Sequence, residues 1–188
     1  LPASNRGIFR TASILPWAAP LVVSAFMWRW ILSRDIGILN YVLIQIGVIT
    51  DNLPWLSDPT LAVLSGIFAT VWRRTPFAML LLLAGLESIS PQLYESAEVD
   101  GASSWQKFRF ITMPLNRHQM VISFVIVWMF TFRTPDVYFA LTGGGPGKAT
   151  YHAGVFLIDL IYHFLQFGRA GALGVFLFLT IALIASPI

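Results

Sequence analysis

Residues 61–86 read LAVLSGIFATVWRRTPFAMLLLLAGL, and their only charged side chains are the adjacent Arg73 and Arg74. The hydrocarbon core of a bilayer is about 30 Å thick, so a helix needs roughly 20 mainly apolar residues to cross it. This stretch is long enough and apolar enough to do so. It therefore predicts a membrane-spanning helix with an arginine pair near its middle.

Three further apolar stretches, residues 13–33, 118–141 and 168–188, bring the predicted spans to about four. Residues 34–60 are broken by Asp, Gly and Pro, and we interpret them as an interfacial helix and loop. The chain of 188 residues is 56% hydrophobic and only 11% charged. A soluble domain of this size could not bury so much apolar side chain, so we expect an all-α, polytopic helical membrane protein.

The charges and the cysteine count exclude several classes of function. The twelve Lys and Arg residues are scattered singly or in pairs, so we expect no nucleic acid partner. The absence of cysteine excludes disulfides, thiolate metal sites and cysteine nucleophiles. His118, His152 and His163 could in principle bind metal, with Asp159 four residues before His163, but we favour interface or surface roles and predict no metal site.

Positive side chains gather on one side of this layout, at Arg6, Arg10, Lys107, Arg109 and Arg117. The loop of residues 33–60 instead holds Arg34 against Asp35, Asp51 and Asp58. The positive-inside rule then places residues 90–114 in the cytoplasm, although Lys148 on the opposite side makes the bias modest.

Residues 90–114 form the most structured polar stretch of the chain. Ser90 before Pro91 predicts a helix start in which the hydroxyl caps free N–H groups, and Gly101 predicts the end of that helix. Ser103 and Gln106 have the spacing of a capping box, which predicts a second short helix. We expect two short helices that meet at a glycine.

This stretch resembles the EAA motif of binding-protein-dependent ABC importer permeases. The matching positions are Glu95, Ala97, Asp100, Gly101, Ala102, Phe108, Ile111 and Pro114. Ser96 replaces the usual alanine by another small residue, so close packing is kept. The alternative, that the acids merely solvate an amphipathic loop, would not require every one of these spacings.

In the family, this loop is the helix that docks into a cleft on the ATPase subunit. The resemblance implies that coupling to ATP hydrolysis rests on Glu95, Ser96, Ala97, Asp100, Gly101, Ala102, Phe108 and Pro114. It also implies that ATP and Mg²⁺ bind to the ATPase subunit, and that this chain carries no cofactor and is not an enzyme.

Residues 141–150, LTGGGPGKAT, suggest a phosphate-binding loop but fail as a Walker A motif. Thr142 stands where the first glycine is needed, and Ala149 where a magnesium-ligating Ser or Thr is needed. The loop instead resembles the external loop of the larger permease subunits of sugar and glycerol-phosphate importers. Such permeases carry about two more helices, so we expect residues 1–188 to be one importer transmembrane domain, about four of six helices, truncated at both ends.

Arg73 and Arg74 lie where an unpaired cation costs about 3 kcal/mol or more, so they are expected to face protein or water. They would either donate to a solute in a substrate passage or pair with Asp136 or a carboxylate on a partner subunit.

The chain is similar, without gaps from Trp72 through Pro146, to the larger membrane subunit of the maltose-importer type. Its sugar-contacting positions fall on Thr70, Arg73, Arg74, Phe77, Val127, Phe130, Thr131 and Thr134. Phe77 and Phe130 keep the aromatic chemistry, either for stacking on a sugar or for plain packing. The arginines and threonines indicate a different solute. We expect a sugar or a sugar-like compound, and this class includes phosphorylated and acidic compounds.

The resemblance implies a second homologous permease subunit, two ATPase subunits and an extracytoplasmic solute-binding protein, all assembled at a prokaryotic cytoplasmic membrane in which this chain is multi-pass. A membrane-embedded transferase is the main enzymatic alternative, but the residues after Asp100-Gly101-Ala102 lack the further aspartates that it requires. A passive channel would not need a docking helix.

Overall fold

The computed structural model describes residues 14–133 and 135–185, and these contain helices and connecting loops but no strand. A short helical segment at residues 14–18 comes first. It is followed by α1 (Leu21–Ile31), α2 (Ile38–Gln45), α3 (Pro59–Glu87), α4 (Pro91–Val99), α5 (Ser104–Lys107), a π-helical turn (Phe108–Thr112), α6 (Met113–Leu115), α7 (Arg117–Arg133), α8 (Asp136–Thr142), α9 (Ala153–Tyr162) and α10 (Phe167–Ala185).

Helix α3 starts at a well-formed cap. Oδ1 of Asp58 accepts hydrogen bonds from the N–H groups of Thr60 and Leu61, both at 2.9 Å, and Pro59 occupies the first helical position. The helix then continues for 29 residues to Glu87. This confirms the predicted helix over residues 61–86 and extends it slightly at its start.

Among the described residues, α3 is the one continuous helix long and apolar enough to cross a membrane by itself. Only 11% of its apolar window is buried within the protein, which separates it from the core helix of a soluble domain. A second span results if residues 117–131 and α8, which meet at 45°, are counted together. The helices Leu21–Ile31, Ala153–Tyr162 and residues 167–183 are apolar but shorter.

The first predicted span, residues 13–33, is not one continuous helix over the part that is described. It breaks at Ala19 and Pro20 between the segment at residues 14–18 and α1. Pro20 has no N–H to donate to the preceding turn, and it disfavours the helical conformation of the residue before it.

The third predicted span, residues 118–141, is also interrupted, because α7 ends at Arg133 and α8 begins at Asp136. Pro135 accounts for this break in the same way, since it leaves the carbonyl of Thr131 without its helical donor. The fourth, residues 168–188, corresponds to α10 as far as Ala185.

A stripe of small side chains on α3 sets the packing of the bundle. Ala62, Ser65, Gly66 and Ala69 are buried at helical spacing. Helix α3 packs against α7 and α8, α1 packs against α8, and α9 packs against α10. A Cβ on Gly66 would lie 2.0 Å from Cε1 of Tyr138, so only glycine lets α8 approach this closely.

The loop between α1 and α3 contains the predicted interfacial helix, which is α2, and is organised by one buried side chain. Asn40 donates from Nδ2 to the carbonyls of Arg34 and Leu53, both at 3.0 Å. Its Oδ1 accepts from the Leu53 N–H at 3.2 Å and from Nε1 of Trp55 at 2.8 Å. These four bonds connect the two ends of the loop. We refer to residues 33–58 as the outer loop.

Candidate functional site

Residues 90–114, the coupling segment, contain the two short helices that the sequence predicts, joined at Gly101. Helix α4 ends at Val99, and the Gly101 N–H donates to the Glu98 carbonyl at 3.0 Å while the Ala102 N–H donates to the Ala97 carbonyl at 2.8 Å. This pair of bonds is the Schellman motif, which requires a left-handed residue between them. Gly101 supplies it with φ of 75°.

The capping box at the start of α5 is confirmed. Oγ of Ser103 accepts from the Gln106 N–H at 3.3 Å, and Oε1 of Gln106 accepts from the Ser103 N–H at 2.7 Å. Helix α4 begins at Pro91 after Ser90, as predicted, but the predicted hydroxyl cap was wrong, because the Ser90 side chain caps no N–H group. The Leu93 N–H, which a capping hydroxyl would have bound, donates instead to the Ser90 backbone carbonyl at 3.2 Å.

The second helix of the segment is not uniform, because it passes from α5 through the π-helical turn Phe108–Thr112 into α6. Two side-chain contacts connect it to α4. Tyr94 and Thr112 share a hydrogen bond of 2.9 Å between their hydroxyls, and Nζ of Lys107 lies 2.5 Å from Oε1 of Glu98. The hydrogen bond and the charge of Lys107 lower the pKa of Glu98.

The predicted coupling residues are largely exposed. Glu95, Ser96, Asp100, Gly101, Phe108 and Pro114 are exposed, and Ala97 and Ala102 are half-buried beside the Schellman bonds. Large apolar side chains surround the acids, with Val99 88%, Trp105 69% and Phe110 73% exposed. The segment therefore presents acidic and apolar groups together on a rigid backbone, which is what a docking surface requires.

The coupling segment is anchored to α3 directly after it ends. Asn116 is buried and donates from Nδ2 to the Leu82 carbonyl at 3.4 Å. A Cβ on Gly85 would lie 1.9 Å from Oδ1 of Asn116, so the two backbones approach closely at this point. The end of the segment therefore contacts α3, the helix that carries Arg74.

Four of the eight predicted substrate-path residues line one cavity of about 320 Å³ between α3, α7 and α8: Thr70, Arg74, Val127 and Thr131. We refer to it as the central cavity. A smaller cavity of about 210 Å³ shares Thr70, Arg74 and Thr131 with it and extends towards His152.

The two arginines have different surroundings. Nη2 of Arg74 donates to the Phe130 carbonyl at 3.1 Å, and its guanidinium lies 5.5 Å from the centre of the Phe130 ring. Nη1 of Arg73 instead donates to the Ala19 carbonyl at 2.8 Å and to Oγ of Ser24 at 3.3 Å. Arg73 thus contacts the broken first helix and is not among the residues that line the central cavity, so its place in a substrate passage stays a prediction.

The alternative contact with Asp136 is present as a longer-range interaction, since the Asp136 carboxylate attracts both guanidinium groups electrostatically. Phe77 lies in an aromatic cluster, with ring centres 6.3 Å from Trp17 and 5.6 Å from Phe130. This arrangement supports packing for Phe77 and Phe130. The remaining predicted residue, Thr134, lies outside the described residues.

Sequence reasoning missed Tyr138 and His152. Tyr138 lines both cavities, and its ring lies 5.1 Å from that of His152 in an edge-to-face contact. Nδ1 of His152 accepts from the Gly154 N–H at 3.1 Å, and burial lowers the pKa of the imidazole. The only available signal was that both flank the glycine-rich loop, which does not indicate that they line a cavity together with Thr70.

The glycine-rich loop is closed by its threonines. The hydroxyls of Thr142 and Thr150 lie 2.6 Å apart, and Oγ1 of Thr150 donates to the Gly145 carbonyl at 2.8 Å. Beyond the loop, the Tyr151 hydroxyl donates to Asp159, whose other oxygen lies 2.8 Å from Nδ1 of His163. The Asp159 hydrogen bond raises the pKa of Tyr151 to about 12.

In the described residues, an exposed segment thus lies at one end of a long apolar helix, and a cavity lies beside that helix. The sequence profile of a family described as "Binding-protein-dependent transport system inner membrane component" matches residues 3–187. The chain belongs to this family. By that description its members are inner membrane components of a transport system, and the predicted family is confirmed.

Individual relatives agree. The trehalose/maltose transport system permease protein MalF of Thermococcus litoralis is 35% identical over 94% of this chain, and the match spans 59% of that protein's length. A bacterial ABC transporter involved in the import of the acidic polysaccharide alginate aligns with a TM-score of 0.78 at 26% identity, over 99% of this chain and 66% of the other.

A second structure of an alginate ABC transporter, in complex with an alginate pentasaccharide-bound periplasmic protein, aligns with a TM-score of 0.85 at 26% identity. It covers 98% of this chain and 64% of the matching chain. The predicted fold, an ABC importer transmembrane domain, is confirmed by these matches. The chain spans about three fifths of the length of the curated relative described above.

Proposed function

We propose that this chain is a multi-pass permease subunit of an ATP-driven importer for a sugar or sugar-like solute, acidic or phosphorylated compounds included. The observation that carries the proposal is that one long helix, α3, connects the exposed coupling segment to the central cavity. In this arrangement the coupling segment faces the cytoplasm of a prokaryote and the glycine-rich loop faces outward.

In this proposal, the two ends of α3 serve different partners. ATPase subunits, which hold the ATP and Mg²⁺, bind the exposed Glu95 and Asp100 together with the apolar side chains beside them. The Schellman bonds around Gly101 keep the segment rigid, and the contact between Asn116 and Gly85 transmits its movement to α3. A second related permease completes the passage, and a solute-binding protein delivers the solute from outside.

Arg74 is the residue of the central cavity that selects the solute. Its guanidinium suits a carboxylate or a phosphate, which it can bind through two parallel N–H donors. The hydroxyls of Thr70 and Thr131 donate to carbonyls of their own helices, at 2.8 Å each, so their oxygens remain acceptors for solute hydroxyls. The similarity to a transporter of an acidic polysaccharide supports an acidic sugar.

Substitution of Arg74 tests this function. We expect Arg74→Ala to abolish substrate-stimulated ATP hydrolysis by the reconstituted importer while the subunits still assemble, because the cavity loses its cationic donor. Arg74→Lys is the matched control, which keeps the charge but not the paired donors, and is expected to retain part of the activity. Unchanged transport by the Arg74→Ala variant would refute the assignment.

A further inference from the structure

A third cavity, of about 520 Å³, lies at the opposite end of the bundle from the coupling segment. It is formed where α1 ends, where α8 ends and where the outer loop passes between them. Its lining includes Arg29, Ser33, Arg34, Trp55, Ser57 and Phe139. None of its lining residues is shared with the central cavity, so the two are separate sites.

The positive charge of the two arginines in this cavity is not balanced by an acidic side chain among the lining residues. Arg29 and Arg34 are exposed, and neither guanidinium group forms a hydrogen bond or an ion pair with a residue in the described part of the chain. The nearby acids of the outer loop are engaged elsewhere, because Asp58 caps α3 and Asp51 accepts from Thr50. Asp35 follows Arg34 in the sequence but does not line the cavity.

The walls of the cavity are held in place. The four bonds of Asn40 fix the backbone at Arg34 and Leu53 and the indole of Trp55. Leu32 and Leu141, both among the lining residues, are 4% and 1% exposed and anchor the ends of α1 and α8. A preorganised cavity of this kind binds a charged group with little loss of conformational entropy.

We propose that this cavity receives an acidic side chain of the extracytoplasmic solute-binding protein. The inference rests on the proposed function, which places this end of the bundle outside the cell and supplies the partner. Two exposed guanidinium groups at a rigid surface attract a carboxylate presented by another protein. They accelerate the encounter of the two proteins and fix the position in which they bind. The solute itself is bound elsewhere, in the central cavity.

The test measures binding of the cognate solute-binding protein to the assembled importer in nanodiscs, together with ATP hydrolysis. The variant is R29A/R34A. The matched control is K148A/R169A, which removes the same charge from two residues that do not line this cavity and that lie on the same face in the proposed orientation. A third variant, R29K/R34K, keeps the charge without the paired donors.

We expect R29A/R34A to weaken the affinity for the binding protein by about tenfold or more and to reduce its salt dependence. ATP hydrolysis without the binding protein should be unchanged, and saturating binding protein should restore stimulation. The control should lose less than about threefold, and R29K/R34K should fall between the two.

Three results would overturn the inference: unchanged affinity in R29A/R34A, an equal loss in the control, or an altered solute requirement at unchanged affinity for the binding protein. Failure of the proposed function looks different, because the unmodified importer would then show no stimulation by its binding protein or no solute transport.

Discussion

The coupling segment and the central cavity are stabilised by different kinds of interaction. The coupling segment relies on backbone hydrogen bonds between residues close in sequence, as in the bonds that the Gly101 and Ala102 N–H groups donate. The central cavity depends on how closely α8 approaches α3, where Tyr138 packs on Gly66. The first should therefore be sensitive to backbone conformation, and the second to side-chain volume.

Among changes that alter packing or backbone conformation, the largest effect should come from adding volume beside the central cavity. In Gly66→Ala, the new Cβ would lie 2.0 Å from the Tyr138 ring, so the ring must move or α8 must separate from α3. Overpacking of this kind costs about 1–3 kcal/mol. A cost in the upper part of that range corresponds to a loss of roughly 30-fold or more, and we expect such a loss in substrate-stimulated ATP hydrolysis.

The double variant Gly66→Ala/Tyr138→Ala should recover part of that loss, because it removes the ring that the new methyl group meets. Gly171→Ala in α10 is the matched control, since a Cβ there meets no atom within 4 Å. Equal losses in Gly66→Ala and Gly171→Ala would show that volume does not govern the cavity.

A smaller loss should follow from a change of backbone preference in the coupling segment. In Gly101→Ala the side chain meets nothing within 4 Å, so the whole effect comes from the φ of 75°. A left-handed conformation costs a residue other than glycine about 1–2 kcal/mol. Coupling, measured as the ratio of transported solute to hydrolysed ATP, should fall by about fivefold to thirtyfold.

Gly101→Asn is the appropriate comparison, because asparagine tolerates the left-handed region better than alanine does. If the alanine and asparagine variants behave alike, backbone conformation is not what limits coupling.

The hydrogen bond between Tyr94 and Thr112 should matter less than Gly101. Tyr94→Phe removes the phenolic hydroxyl and keeps the ring, and a typical hydrogen bond contributes about 1 kcal/mol. We expect up to about a fivefold loss of coupling. Thr112→Val should reproduce it, and the double variant should add nothing further; additive losses would indicate that the two hydroxyls act independently.

The smallest effect should come from the ion pair of Glu98 with Lys107. Lys107 lowers the pKa of Glu98, so any stabilisation is present above the ordinary pKa of 4.5 and is lost as the pH falls through the lowered value. Glu98→Gln should therefore leave coupling at pH 7 within experimental error, since exposed pairs contribute little. A large loss at neutral pH would mean that Glu98 itself contacts a partner.

Local features of this fold were readable from the sequence because they depend on neighbouring residues. The C-terminal end of α4 at Gly101 and the capping box at Ser103 follow from residues within five positions of each other. The breaks at Pro20 and Pro135 had a local signal too, but the continuous hydrophobicity around these prolines favoured unbroken spans.

Features that depend on tertiary packing were not readable. Arg73 and Arg74 are adjacent, yet successive residues on a helix point about 100° apart, and only the positions of α1 and α7 decide which arginine faces the cavity. Tyr138 joins the site because α8 packs against α3 after the bend, and its ring contacts that of His152. The π-helical turn has no residue pattern that would have indicated it.

The four hydrogen bonds of Asn40 have a consequence for exchanging parts between permeases. One side chain inside the loop, that of Asn40, makes the four bonds that join its two ends. Residues 33–58 therefore constitute a transplantable module. A chimaera that carries this module together with Arg29 should keep its specificity for the solute-binding protein, whereas one with a junction between Asn40 and Leu53 would have to bring a compatible amide from the other parent.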